Sequence, residues 1–254
     1  MPSHVVRAPV RIPNPPCRLL VIASAVAVAA CGSSQPTANE PTVSLSLVSG
    51  QDQEGTVGMP LAEPIVAQLS SDAGHPVTGR IVSFTLGGSD GTIASASGGG
   101  HASGMGATFS VPTDDQGRAA ARFTLGPTSG VQSIAVHTSY PVKGDSSLQV
   151  EALADPGGVA RVLKSGDGQV GTAGQALPLN VAVVVTDRYG NALAGVQVVW
   201  TILAGGGSLG ADTVLTDETG GAATQWTLGA SAGLQQIVAQ IDQAGSLTFS
   251  ATAQ

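Results

Sequence analysis

"TDETGGAATQWTLG", Thr216–Gly229, gathers two carboxylates (Asp217 and Glu218), a glycine pair and a tryptophan into one short run. That composition suits a small binding or catalytic loop, and equally a polar turn feeding a buried strand. The chain decides by saying it twice: "TDDQGRAAARFTLG", Thr113–Gly126, carries Thr, Asp, Gly, Ala, an aromatic, Thr, Leu and Gly in the same order. With Gln116 set against Glu218, the second carboxylate is missing from the first copy, whereas the turn glycine and a large ring (Phe123 for Trp226) are kept. The expectation is an acidic turn entering a core strand, not a paired-carboxylate site.

Self-similarity runs outward from this stretch. "GTVGMPLAEPIVAQL" (Gly55–Leu69) overlies "GTAGQALPLNVAVVV" (Gly171–Val185) at an offset of 116, and "DAGHPVTGRIVSFTL" (Asp72–Leu86) overlies "RYGNALAGVQVVWTI" (Arg188–Ile202) in the same register. The offset then falls to 103, because the first copy holds thirteen more residues around "SASGGGHASGMG", Ser95–Gly106. "SLQVEALA" (Ser147–Ala154) and "SLTFSATA" (Ser246–Ala253) close the two copies. Apolar residues alternate within each. Leu177, Leu179, Val181, Val183 and Val185 share one parity, as do Val196, Val198, Trp200 and Ile202, and then Ile237, Ala239 and Ile241. A period of two puts each set on one face of a strand. Many short strands between Gly, Asn and Pro turns predict an all-β chain of two tandem β-sandwiches, 43–154 and 155–254, joined at Asp155-Pro156-Gly157-Gly158.

The pattern D-x-x-G-N-x-x-x-G-V-x-V-x-W (Asp187–Trp200), followed by T-D-x-x-G-x-A-x-x-x-W-T-L-G (Thr216–Gly229), resembles the bacterial immunoglobulin-like domains of group 1, the modules of intimin- and invasin-type surface proteins. The resemblance is strong over 159–254 and looser over 43–154, where Arg80 replaces Val196 and Glu63-Pro64 interrupts the early strand. It implies immunoglobulin-like sandwiches with a structural or adhesive role. Those adhesins also carry a β-barrel anchor and often a terminal lectin-like module, so receptor binding by the two sandwiches is a hypothesis and not a carry-over.

Residues 1–30 stand apart and read as an export signal. Arg7, Arg11 and Arg18 precede "LLVIASAVAVAA", Leu19–Ala30, an apolar run too short for a bilayer helix, which takes about 20 residues. Its end, Val28-Ala29-Ala30-Cys31, resembles a bacterial lipobox. That resemblance implies a lipoprotein signal peptide over 1–30, with Cys31 as the acylated N-terminus; a secretory signal beside an incidental cysteine is the alternative. Residues 31–42, small and polar, suit a flexible tether. Gly32 stands where enteric bacteria place the Asp that retains lipoproteins at the inner membrane, so the resemblance implies the outer membrane or cell surface of a diderm bacterium. With Cys17 removed and Cys31 acylated, no thiol remains for a disulfide, and packing alone must hold the core. Ten basic residues lose three with the signal, leaving seven against seventeen acidic ones, a net charge of −10. Such a surface argues against nucleic acid and anionic lipid headgroups as partners.

Chemical motifs are weak. "GGSDG", Gly87–Gly91, fits the nucleophile-elbow pattern around Ser89, yet the adjoining "TIASASGGGHASG" cannot start a good helix, and Gly205 takes the place of Ser89 in the second copy. "GDGQVG", Gly166–Gly171, fits a dinucleotide fingerprint but leads into a strand, which makes it a turn. His75, His101 and His137 are isolated. Asp72, Asp187 with Asn191, Asp212, and Asp217 with Glu218 are acidic turns; calcium ligation is the rival reading, against which stands the lack of any D-x-D-x-D loop. Trp200 and Trp226 are expected in the core, with a sugar-stacking platform as the alternative. The insertion reads as a flexible extension or, alternatively, a binding loop.

The expected molecule is a non-enzymatic, lipid-anchored cell-envelope protein acting in adhesion or as a structural stalk. Its expected partners are the membrane, through the acyl chains on Cys31, and a protein or glycan; no catalytic residue, metal or cofactor is expected. The alternative is a periplasmic accessory or spacer subunit that binds another envelope protein or cell-wall glycan.

Overall fold

Alternating apolar runs bounded by glycine turns fold as strands. The computed structural model describes residues 43–254 apart from 89, 98–99 and 104–105. The expected signal peptide, the tether with Cys31, and Ser89 lie outside the described residues. Among the described residues there is no helix, hence none long and apolar enough to cross a membrane.

The first copy forms β1 (Val43–Ser49), β2 (Gln53–Thr56), β3 (Ile65–Ser71), β4 (Ile81–Leu86), β5 (Thr92–Ser95), β6 (His101–Ser103), β7 (Thr108–Pro112), β8 (Arg118–Thr124), β9 (Gly130–His137) and β10 (Ser147–Asp155). They build two sheets, ordered β1-β3-β8-β5-β6 and β2-β10-β9-β4-β7. The second copy forms β11 (Arg161–Ser165), β12 (Gln169–Gly171), β13 (Val181–Thr186), β14 (Gln197–Ala204), β15 (Gly207–Leu209), β16 (Thr213–Leu215), β17 (Gly221–Thr224), β18 (Trp226–Leu228), β19 (Gly233–Ile241) and β20 (Gly245–Ala253). Its sheets are β11-β13-β17 with the pair β15-β18, and β12-β20-β19-β14-β16. Pairing is antiparallel except where β2 and β12 run parallel to β10 and β20. In each copy the opening segment thus pairs first with one sheet and then with the other, tying the two together as in immunoglobulin-like sandwiches.

The two cores follow the predicted parity. Ile65, Ala67, Leu69, Val82, Phe84, Ile93, Phe123, Ile134 and Val136 are buried in the first sandwich; Val181, Val183, Val185, Val198, Trp200, Trp226, Ile237, Ala239 and Phe249 in the second. Register survives the changing offset: Ile93 pairs with Phe123, and Leu209 with Trp226. Trp200 packs against Phe249 with ring centroids 5.4 Å apart at an interplanar angle of 56°. Both tryptophans are core anchors, not an exposed stacking platform. The extra residues of the first copy lie between β5 and β7 and include β6, which pairs with β5. In the second copy the chain crosses from β15 to β16 in three residues.

One expectation of parity fails. Leu179 does not share the inward face of Val181–Val185 but is 64% exposed. Its backbone is held by a side chain in place of a strand: its N–H donates to Gln169 Oε1 at 3.0 Å, and Gln169 Nε2 donates to its carbonyl at 3.0 Å. Gln53 makes the same pair of bonds with Glu63, at 2.9 and 3.1 Å. The interruption at Glu63-Pro64 therefore falls on this glutamine clamp, and β3 starts beyond it at Ile65, paired with both β1 and β8.

Candidate functional site

The repeated T-D-x-x-G turn uses its polar groups internally. Thr216 Oγ1 accepts from Val196 N at 2.9 Å and donates to Leu193 O; Thr113 does the same with Arg80 N and Val77 O, at 3.0 and 2.7 Å. Asp217 Oδ1 accepts from Thr219 N, Thr219 Oγ1 and Gly221 N at 2.9, 2.6 and 3.0 Å. These bonds, led by that from the Thr219 hydroxyl, hold the Asp217 carboxyl below its ordinary value. Asp114 Oδ1 likewise accepts from Gln116 N and Arg118 N. The turn bonds hold the offset of 103 and overturn the pairing of Gln116 with Glu218. Asp114 N→Arg118 O and Asp217 N→Gly221 O are equivalent, which places Asp115 opposite Glu218 and Gln116 opposite Thr219. The acidic pair is thus present in both copies, and it is the saturation of the first carboxylate by turn donors, not the loss of the second, that makes the motif scaffold.

Gly166–Gly168 forms a turn entering β12, in which Asp167 accepts from Ser250 N at 2.8 Å and pairs with Lys164 at 2.5 Å. Among the described residues no three His, Cys, Asp or Glu side chains converge as a metal site.

The richest polar arrangement lies where the sandwiches meet, in the β13–β14 loop Asp187-Arg188-Tyr189-Gly190-Asn191. Asp187, 1% exposed, accepts at Oδ1 from Tyr189 N (2.8 Å) and Asn191 N (2.9 Å), and at Oδ2 from Asn191 Nδ2 (2.8 Å) and Gly157 N (3.0 Å). Both oxygens are committed to N–H donors, a use opposite to calcium ligation. Burial pushes the Asp187 carboxyl up, but the Asn191 amide and the three backbone N–H groups outweigh it and leave it below the ordinary aspartate value.

Held in this way, Asn191 reaches the first sandwich. Its Nδ2 donates to Pro127 O at 2.7 Å, and its Oδ1 accepts from Ser129 N at 3.1 Å. Tyr189 lies over Gly58, where a Cβ would collide with its hydroxyl, and the Arg188 guanidinium sits 4.5 Å from the Tyr189 ring centroid. A cavity of about 250 Å³ beside the joint is lined by Thr56, Val57, Met59, Gly157, Ala160 and Arg188. Both sandwiches belong to one compact unit. Sequence reasoning notices Asp187 and Asn191 but not this role, because the partners of Asn191 at Pro127 and Ser129 are backbone atoms. The signal that could have found it is the 116-residue comparison, which sets Ser71, Ala73 and His75 against Asp187, Tyr189 and Asn191.

A larger open groove of about 720 Å³ flanks β14, lined by Trp200, Ile202, Leu209, Asp212 and neighbours. It lies where β7 and Ala107 cover the equivalent β4 edge of the first copy, with Leu86 N donating to Ala107 O at 2.9 Å.

No protein-family model matches the chain, and no curated protein matches it. Among solved structures it is similar to the Escherichia coli adhesin FdeC, at 14% identity over 84% of this chain and 65% of that one, with a TM-score of 0.46. It is similar to the Yersinia pseudotuberculosis adhesin InvE at 18% identity, over 85% of this chain and 61% of that one, with a TM-score of 0.37. The D00-D0 domain of intimin aligns at 15% identity over 84% of this chain and 99% of that one, with a TM-score of 0.42. The chain spans less than two thirds of the length of the first two, and the likeness is one of fold.

Proposed function

We propose that the chain is an exported, lipid-anchored bacterial envelope protein whose two sandwiches form a stalk that presents a binding surface outside the membrane. The observation that carries the stalk is the Asp187–Asn191 joint: a buried carboxylate orients one amide to bond the backbone of the other sandwich on both its donor and its acceptor side. A joint of this kind restrains the two modules against each other, where a bare Pro156-Gly157-Gly158 linker would leave them free. The adhesive role is what the resemblance of the repeats to intimin- and invasin-type modules implies, and the anchor at Cys31 is what the lipobox resemblance implies. Acyl chains contribute about 0.8 kcal/mol per buried CH₂, so more than one is needed for lasting attachment.

Mass spectrometry of the mature N-terminus tests the anchor: an acylated Cys31 is expected, and Cys31→Ala should release the protein from the membrane fraction. A free Cys31 or an intact residue 1–30 segment in the mature chain overturns it. Protease treatment of intact cells tests the side. Cleavage is expected for a surface stalk, whereas full protection would assign the chain to the periplasm as a spacer between envelope components.

A further inference from the structure

The internal repeat supplies each sandwich with two ends, and only one end of each is engaged in the joint. The first sandwich contributes a receiving end made of Gly58, the Leu125–Ser129 turn and the buried Gln132. Gln132 shapes that turn: its Oε1 accepts from Gly126 N at 2.8 Å, and its Nε2 donates to Thr128 O at 2.7 Å and Gly126 O at 3.4 Å. The turn then presents Pro127 O and Ser129 N to Asn191.

The second sandwich repeats the three Gln132 bonds one for one. Gln235, also buried, accepts from Gly229 N at 2.7 Å and donates to Ser231 O at 2.9 Å and Gly229 O at 3.2 Å. Gly174 has φ +74°, against +73° for Gly58, and bonds to Gly229 O at 3.0 Å as Gly58 bonds to Gly126 O at 3.2 Å. The equivalents of Pro127 O and Ser129 N are Ala230 O and Ala232 N, backbone groups that the side-chain changes leave in place. What differs is cover. Pro127, Ser129 and Gly58 are half-buried, whereas Ala230, Ala232 and Gly174 are exposed, and a Cβ on Gly174 meets nothing within 4 Å.

We propose that this end of the second sandwich is a docking socket for a further β-sandwich module, carried by a partner protein, that bears an Asp-x-Tyr-Gly-Asn loop. The asparagine amide would bond Ala230 O and Ala232 N, and the tyrosine would lie over Gly174. A second copy of this chain does not fit: its own loop of that kind, Asp187–Asn191, is spent within the molecule, and its first sandwich offers Ser71, Ala73 and His75 at the corresponding positions. Among the described residues the second sandwich therefore offers a socket and the first no plug, which makes association directional. The proposal names the partner of the stalk and rests on that reading only for this orientation.

The test duplicates Pro156–Gln254 after Gln254 in the full chain, which reproduces the natural linker and removes any concentration limit. Amide hydrogen exchange then reads Ala232 N–H. Exchange at least about tenfold slower than in the parent chain is expected, and Ala at the appended equivalent of Asn191 should restore the parent rate. A control fusion carries Val43–Asp155 behind the same Pro-Gly-Gly linker; it lacks the plug and should leave Ala232 unchanged. Unchanged exchange in the first fusion, or equal slowing in both, overturns the socket. Neither result bears on acylation of Cys31 or on protease exposure, so failure here is distinguishable from failure of the anchored-stalk reading.

Discussion

The β3–β4 loop of the first sandwich and the β13–β14 loop of the second are one backbone put to two uses. Ser71 N bonds His75 O at 2.9 Å and Asp187 N bonds Asn191 O at 3.0 Å; Gly74 and Gly190, both at positive φ, donate back to residues 71 and 187. Even the side-chain bond persists, since Ser71 Oγ accepts from His75 N at 3.1 Å as Asp187 Oδ1 accepts from Asn191 N at 2.9 Å. Yet only the second loop forms a joint. The glycine and the turn bonds specify the fold, whereas the longer acceptor, the amide and the phenol specify the interface. The two layers are separable, and single substitutions can strain one without the other.

The largest effects should appear where the copies are most alike. Phe123→Ala and Trp226→Ala empty equivalent core positions and should each cost about 3–5 kcal/mol in denaturant unfolding. Trp226→Phe installs the ring of the first copy. Because the Trp226 Nε1–H is buried without a partner, this exchange removes an unmet donor along with some volume, and a cost below about 2 kcal/mol is expected. A loss as large as that of the alanine variant would mean that the cores are not interchangeable.

Next come the loops. Asp187→Ala strips an acceptor from four N–H donors and should cost about 2–3 kcal/mol, whereas Ser71→Ala should cost less than about 1 kcal/mol. The same contrast appears with pH. The Asp187 carboxyl lies below the ordinary aspartate value of 3.8, so its contribution is complete above that value and is lost as pH falls through the lower folded value. The Gly157 and Asn191 amides should therefore exchange faster in acid than the fall in intrinsic rate permits, while His75 N, bonded to a serine that does not titrate, should not. The readout must be local, because Asp167 and Asp217 are lowered as well.

Gly58→Ala and Gly174→Ala compare the two receiving ends. Both force a side chain to positive φ, at about 1–2 kcal/mol. Gly58→Ala must in addition displace the Tyr189 hydroxyl, so its excess over Gly174→Ala measures the joint. Because the Arg188 guanidinium lies 3.0 Å from the same point, that excess should shrink in a Tyr189→Ala background and vanish when Arg188→Ala is added; if it survives both, the collision is with something other than the joint.

The sandwiches are legible in the sequence because period-two alternation and glycine turns are local signals, and because each appears twice. Trp200, Trp226, Val181, Val183 and Val185 are placed inward on that ground alone. Leu179 is misplaced since its parity continues past the point where Gln169 replaces strand pairing, and no composition rule marks a side chain that mimics a strand. The joint escapes for a related reason: Asn191 is a common turn residue, and nothing in Pro127-Thr128-Ser129 advertises that its backbone supplies the acceptor at Pro127 O and the donor at Ser129 N. Setting Gln116 against Glu218 departs by one position from the offset of 103 that the flanking Thr113, Asp114 and Gly117 hold with Thr216, Asp217 and Gly220, and at that offset Asp115 stands opposite Glu218.

The smallest effect should come from the feature that most distinguishes the copies by length. Deleting Ala96–Thr108 gives the first copy the spacing of the second, with Ser95 followed directly by Phe109. The losses are the β5–β6 pairing with the Ser95 N→Gly100 O bond at 3.2 Å at one sheet edge, and the Leu86 N→Ala107 O bond and Thr85–Thr108 hydroxyl pair, each at 2.9 Å, at the edge of β4; water can replace these edge bonds. Destabilisation of about 1 kcal/mol or less is expected, with the Leu86 amide exchanging freely and the β4 edge opening as β14 is open beside its groove. Phe109, facing Phe84 across β7 and β4, stays in the chain and should hold the core closed. A cost approaching that of Phe123→Ala would show that the inserted residues close the first sandwich as Trp200 and Phe249 close the second; the copies would then differ in how their cores are sealed and not only at their ends.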